Sequence, residues 1–125
     1  MSNTLENIYY TKDHEWVNID NGIATVGITD YAQNELGDII FVEFPIIGSK
    51  YKIGDVIGTI EAVKTVADLY SPIEGIIMKI NSLLEDEPGS INKDPYGNGW
   101  LVKLSYHSVD LATLLNIAEY NKLIK

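Results

Sequence analysis

The sequence predicts a mainly β fold, a sandwich or barrel of many short strands. Three observations predict it. Short runs rich in Val, Ile, Thr and aromatic residues are separated by Gly, Pro and Asn-Gly punctuation. The 125 residues are the size of one ordinary domain, here residues 1–125, long enough to bury a core without staples. A hydrophobic content of 46% with 22% charged residues suits a soluble globular chain rather than a disordered one.

Ile8–Tyr10 and Glu15–Ile19 read as short strands. Asn21-Gly22 follows, and Asn-Gly tolerates the positive φ angles of a type I′ turn, so Ile23–Gly27 returns as the partner strand. Thr29–Leu36 reads as a short helix. Thr29 or Asp30 can cap its free N–H groups, Asp30 with Gln33 has capping-box spacing, and Gly37 suits the position after the last turn. Ile39–Phe44 is a strand stopped by Pro45. Gly48 to Asp55 is a loop, and Pro72 to Gly75 is a turn leading into the strand Gly75–Ile80. Asp86-Glu87-Pro88-Gly89 marks a further turn, and Trp100–Leu104 is the last strand. Near residues 109–123 a terminal helical segment follows, capped by Ser108. Its stripe is Leu111, Leu114, Leu115 and Ala118, Asn116 is a possible break, and the tail from Asn121 frays.

Composition narrows the function classes. The net charge is −9, from 18 acids against 9 bases, and every base is a lysine. Such a chain repels phosphate backbones and anionic lipid, which argues against nucleic-acid and membrane partners. With no cysteine, any thiol chemistry must come from an attached group. Met1–Glu6 shows neither a secretory nor a transit-peptide pattern, the expectation being a bacterial cytoplasm or, for a trimmed organellar form, the mitochondrial matrix. His14 and His107 stand far apart with no metal spacing, and no phosphate loop or nucleophile elbow is present. His14 is read as a hydrogen-bonded structural residue. No enzyme emerges.

Lys64 is the exception. It sits centrally in Gly58–Tyr70, between two arms crowded with β-branched residues. A β-hairpin would lift it to the tip, with Ile60 and Ala62 on one face and Thr59, Glu61 and Val63 on the other. Ile60, Val63 and Ala67 also fit a helical stripe, and short apolar runs do not separate the two. The β-branched content and flanking turn residues favour strands. A solvated surface lysine is the ordinary alternative to a functional one.

Glu61-Ala62-Val63-Lys64, followed by Asp68, Pro72 and Gly75, resembles the lipoyl-lysine segment of the glycine cleavage system H-protein family. Asp13–Val17, Val26–Gln33, Leu36–Pro45 and Pro95–Trp100 resemble the same family in the same order. The resemblance implies a flattened two-sheet barrel or sandwich of the lipoyl-domain type (a barrel-sandwich hybrid). It implies lipoic acid carried as an amide on Lys64, by a non-catalytic carrier. The carrier passes an aminomethyl group from the P protein (glycine decarboxylase) to the T protein (aminomethyltransferase), and the L protein reoxidises the dithiol. It further implies that Glu61 serves recognition by the lipoate-attaching enzyme and that Glu15 and Asp68 line a cleft for the loaded arm. Solvated acids are the plain alternative for the last two. The carrier is expected to be monomeric alone. Val63 and Thr65 beside the lysine argue against biotin, whose carriers usually place methionines there. Two further readings remain: a lipoyl relay supplying other 2-oxoacid dehydrogenase complexes, and an interaction module with an unmodified lysine.

Overall fold

A computed structural model describes residues 8–125. The reading of Met1–Glu6 therefore concerns residues outside the described range. The strands are β1 (Ile8–Tyr10), β2 (Glu15–Asp20), β3 (Ile23–Ile28), β4 (Ile39–Glu43), β5 (Lys50–Tyr51), β6 (Val56–Ala62), β7 (Val66–Tyr70), β8 (Gly75–Ile80) and β9 (Val102–Ser105). The helices are α1 (Asp30–Leu36), α2 (Leu83–Asp86), α3 (Ser90–Lys93) and α4 (Ile117–Leu123), with a 3-10 turn at Leu111–Thr113. One sheet runs β1-β2-β3-β9-β8-β5 and the other β4-β6-β7, with every pairing antiparallel. The sheets stay separate, so the architecture is a sandwich, not a closed barrel.

Strand alternation builds the core. Val17, Val26, Ile57, Ile60, Leu69, Ile77, Val102 and Leu104 bury together. Each such side chain contributes about 1.5–3 kcal/mol by leaving water. β2 is covered on both faces, because successive side chains point oppositely. Val17 enters the main core, while Trp16 joins Ile8, Tyr10 and Tyr120 in a second cluster. That cluster ties down the C-terminus. Tyr10 and Tyr120 stack with ring centroids 4.8 Å apart, and Tyr10 and Leu115 exchange backbone hydrogen bonds of 2.8 and 2.7 Å.

The Asn21-Gly22 turn has φ of 56° and 85°, as type I′ requires. Thr29 caps α1 by accepting the Ala32 N–H, and Gly37 follows at φ 80°. Several expectations need correction. Lys50–Tyr51 forms a strand where a loop was expected, held by pairing with Ile76 and Gly75. The C-terminal segment is two pieces divided at Asn116, the break the sequence allowed, but its capping and stripe differ. Asp110, not Ser108, caps the 3-10 turn, and Asn116 with Glu119 forms a capping box that starts α4. The expected stripe fails because Leu111 and Ala118 are exposed and only Leu114 is buried. The tail stays helical through Leu123, because Tyr120 anchors it in the second cluster.

Candidate functional site

The stretch around Lys64 is a hairpin. β6 and β7 pair from Val56↔Tyr70 up to Glu61↔Val66. At the tip the Ala62 N–H donates to the Thr65 carbonyl at 2.8 Å, leaving Val63 and Lys64 as the turn. Neither tip residue has positive φ. The turn is therefore neither of the mirror-image types that demand Gly or Asn, which explains the missing Asn-Gly signature. The bend just before β4 supports it instead: the Val63 N–H donates to the Asp38 carbonyl at 3.0 Å. Ile60, Ala62 and Leu69 point inward and are buried, while Glu61, Val66 and Asp68 are exposed.

Lys64 is exposed, and among the described residues its ammonium makes no hydrogen bond or ion pair. Its stem lies over Gly37. A Cβ built on Gly37 would sit 3.3 Å from Lys64 Cε, so a side chain there would crowd the lysine. Gly37 therefore serves both as the positive-φ residue after α1 and as a flat floor beneath the lysine.

Beside this floor a cleft of about 310 Å³ runs between α1 and the hairpin. Ile28, Leu36, Ile60 and Ala67 line it with apolar surface. His14, Tyr31, Glu35 and Asp68 also line it, as do Asp13 and Glu15. His14 is held firmly. Its backbone is left-handed at φ 69°, its Nδ1 lies 2.8 Å from the Tyr120 hydroxyl, and its ring lies 4.8 Å from that of Tyr31. The Tyr120 hydroxyl is also 2.7 Å from Thr29 Oγ1. Burial raises the Tyr120 pKa, which keeps the phenol protonated in this network. A larger hollow of about 520 Å³, bordered by Trp16, Tyr96 and Trp100, contains none of the four sequence-predicted site residues.

The four candidate residues have different settings. Lys64 is at the tip. Asp68 lies on edge strand β7 at the cleft rim, exposed. Glu61 stands on the outer face of the three-stranded sheet, between Phe41 and Val66 across the strands. Glu15 touches the cleft but is only 2% exposed. Both its oxygens are engaged: Thr11 Oγ1 donates to Oε1 at 2.7 Å, and the Tyr70 N–H donates to Oε2 at 3.0 Å. Desolvation pushes its pKa from 4.5 to about 7, outweighing the Thr11 and Tyr70 hydrogen bonds that favour the charged form, and the charge of Asp13 adds to the rise. Sequence reasoning missed Tyr31 and Glu35, although their i, i+4 spacing on α1 places them on one helix face.

A sequence profile of the glycine cleavage H-protein family matches residues 8–125. The chain belongs to this family. It is 48% identical over 124 residues to a glycine cleavage system H protein of Herpetosiphon aurantiacus, covering 99% of this chain and 95% of that one. It is 50% identical over 125 residues to a probable glycine cleavage system H protein of Thermoplasma volcanium, with 100% of both chains covered. The crystal structure of a glycine cleavage system H protein from Mycobacterium marinum superposes with a TM-score of 0.85 at 38% identity, covering 93% of this chain and 94% of that one. H-protein relatives thus extend over nearly the whole sandwich. Among the described residues no helix is long and apolar enough to cross a membrane, and no group of three or more His, Asp or Glu could hold a metal.

Proposed function

We propose that this chain, as one domain, is the lipoyl-lysine carrier of a glycine cleavage system. It receives an aminomethyl group from glycine decarboxylase, delivers it to the aminomethyltransferase, and is reoxidised by dihydrolipoamide dehydrogenase. The observation that carries the reading is an unpaired, exposed lysine on a supported hairpin tip, next to an apolar cleft with a carboxylate rim. The residues present fit the group. Lys64 supplies a free amine for an amide. Ile28, Leu36, Ile60 and Ala67 match an aliphatic tether, and Asp68 and Glu35 offer acceptors to a tethered ammonium. When bound, lipoamide supplies the dithiol that a chain without cysteine lacks.

The chain's own residues hold and orient. The Asp38 carbonyl braces the tip, Gly37 leaves room for the lysine stem, and the cleft shields whatever rests in it from water. Tethering on Lys64 turns each encounter with a partner active site into a high-local-concentration event. Glu15 fixes the cleft wall by joining β2 to β7 through the Tyr70 N–H, and is the less accessible of the two predicted carboxylates. No catalytic residue is assigned, and no observation favours the lipoyl-relay reading over this one.

The test is the intact mass of the protein from a lipoate-replete host, with Lys64→Ala beside it. The wild type is expected to gain one lipoyl group and the variant none. The variant should keep its stability within about 0.5 kcal/mol, as exposed positions usually do. The lipoylated protein should support glycine–bicarbonate exchange with purified P protein. A bare-chain mass with a reactive Lys64 amine would reject the carrier reading, and lipoylation without exchange would reject glycine cleavage.

A further inference from the structure

The residues that locate Lys64 are themselves held from outside the cleft. The short helix α3 supplies the hold, and it is firmly seated. Its Ile91 is fully buried, and a Cβ on Gly99 would stand 2.8 Å from Ile91 Cα, so the segment leading to β9 presses directly on the helix. Asn92, the next residue, is half-buried and meets the junction between α1 and β4. Its Oδ1 accepts the Ile39 N–H at 3.0 Å. Its Nδ2 donates to the Gly37 carbonyl at 2.9 Å and to Gln33 Oε1 at 3.0 Å. Both donors of the amide and one acceptor site are therefore in use. Gln33 is buried in turn, and its Nε2 donates to Asp30 Oδ1 at 2.8 Å. An ionised acid of the same shape cannot replace Asn92, because it would face the Gly37 carbonyl and Gln33 Oε1 with no proton to donate. Asn92 lies neither in the cleft lining nor on the hairpin.

We infer that Asn92 is a positioning residue of the carrier site: by holding Gly37 and Ile39 it fixes Asp38 between them, and with it the floor and the brace of Lys64. The inference rests on the carrier reading and names the side chain that sets its geometry. Gly37 lies beneath the lysine stem, and the Asp38 carbonyl accepts the Val63 N–H at 3.0 Å. These contacts come from adjacent residues, and Asn92 grips the backbone on either side of Asp38. The Ala62–Thr65 bond closes the turn but does not set where the tip stands against α1, whereas the Asp38 contact does. The bond to Gln33 acts on the opposite wall. Gln33 belongs to α1, whose Tyr31, Glu35 and Leu36 line the cleft. One amide thus ties both the helix wall and the hairpin tip to α3. Supporting hydrogen bonds of this kind keep a functional group in its working geometry. A tip that stood open for much of the time would lower the fraction of carrier ready to bind a partner, and would weaken apparent binding by that fraction.

The experiment compares full-length wild type with Asn92→Ala and Asn92→Asp, by NMR on unmodified protein and by kinetics on lipoylated protein. Asn92→Asp keeps the shape and the acceptor for Ile39 but removes both donors, so it separates the hydrogen bonds from the packing. Hydrogen–deuterium exchange of the Val63 amide should rise by about tenfold or more in both variants. The cross-peak between the Lys64 ε-protons and the Gly37 α-protons should weaken with it. The Leu101 amide, which donates to the Val26 carbonyl in the core, reports global opening. A side chain that only stabilised the fold would speed Leu101 and leave the local opening at Val63 unchanged. Lys93→Ala, at an exposed neighbour on α3, should exchange like the wild type. In glycine–bicarbonate exchange with purified glycine decarboxylase, lipoylated Asn92→Ala should show a carrier KM raised by about threefold or more at an unchanged kcat. Val63 exchange matching the wild type in the folded variants would overturn the inference. So would an unprotected Val63 with an unchanged KM. Should neither variant fold, the side-chain amide protons of Asn92 in the wild type decide. Slow exchange with cross-peaks to Gly37 is expected, and exchange at the rate of a free amide would overturn the inference. A wild type that takes up no lipoate would overturn the carrier reading instead, since the Val63 measurement on unmodified protein is independent of it.

Discussion

Glu15→Gln should flatten the pH dependence of folding between pH 5 and 8. Glu15 is buried, its folded pKa is raised from 4.5 to about 7, and its two hydrogen bonds do not offset its desolvation. An acid with a raised folded pKa favours the fold while it is protonated. That contribution is whole below the unfolded value and is lost as pH rises through the folded one. With 4.5 and about 7 as the two values, linkage gives a loss of about 2.5 kcal/mol between pH 5 and pH 8. Glutamine is neutral throughout and keeps a carbonyl for the Tyr70 N–H, so the variant lacks this term. Urea unfolding followed by tryptophan fluorescence at both pH values measures it, and subtraction cancels the distant groups that both proteins share. The wild type should lose about 2.5 kcal/mol relative to the variant, about 1–2 M in urea midpoint at slopes typical of small proteins. Equal pH slopes for the two proteins would refute the reasoning. So would a wild type that gains on the variant toward pH 8, since that belongs to a carboxylate stabilised in its charged form.

Two further substitutions probe the frame around the cleft. A Cβ on Gly27 would stand 2.6 Å from Trp16 Nε1, the buried indole nitrogen that donates to the Pro95 carbonyl at 3.0 Å, so Gly27→Ala must displace the ring. Overpacking with loss of that bond should cost about 2–4 kcal/mol in urea unfolding, and a cost below about 0.5 kcal/mol would mean the indole has room to move. Tyr120→Phe removes the hydroxyl beside both His14 Nδ1 and Thr29 Oγ1. A loss of about 1–3 kcal/mol is expected, with faster amide exchange in α4, and unchanged exchange there would show that the helix is held by stacking alone.

The hairpin was legible because its arms alternate. Ile60 and Ala62 on one arm, and Leu69 on the other, turn to the core, and the competing helical stripe through Val63 fails because Val63 lies at the exposed tip. The start of α1 was legible because Thr29 offers its side chain where helix N–H groups lack partners. The C-terminus was legible only in part: Asn116 marked the possible break, but the apolar stripe misled. A spacing that fits one helix was overridden by the backbone bonds of Leu115 to Tyr10, which fix an extended residue between two helical pieces. Helices α2 and α3 span too few residues to display a period, yet each buries one apolar side chain, Leu84 and Ile91. The environment of Glu15 was hidden for a different reason. A carboxylate at the start of a strand reads as a solvated acid, and only the approach of Tyr70 and Thr11 reveals it as buried.

On the carrier reading proposed above, amidation of Lys64 would change the charge balance around the tip. Glu35 and Asp68 line the cleft, Glu61 stands on the outer face, and the Asp38 carbonyl braces the turn. The formal net charge is −9 with Lys64 counted as a cation, and an amide there makes it one unit more negative. The free ammonium offsets part of the surrounding negative charge, and an enzyme that acylated it would have to desolvate it. On the carrier reading, an amidated Lys64 would no longer compete as a cation, and Asp68 and Glu35 at the cleft would be left as acceptors for an ammonium on a tether. An ion pair to carboxylates as exposed as Glu35 and Asp68 would net only about 0.2–1 kcal/mol. That is enough to bias where an arm rests without holding it fast. A cleft that gripped its cargo more tightly would defeat a carrier, and one lined only with apolar side chains would not distinguish a loaded arm from an empty one.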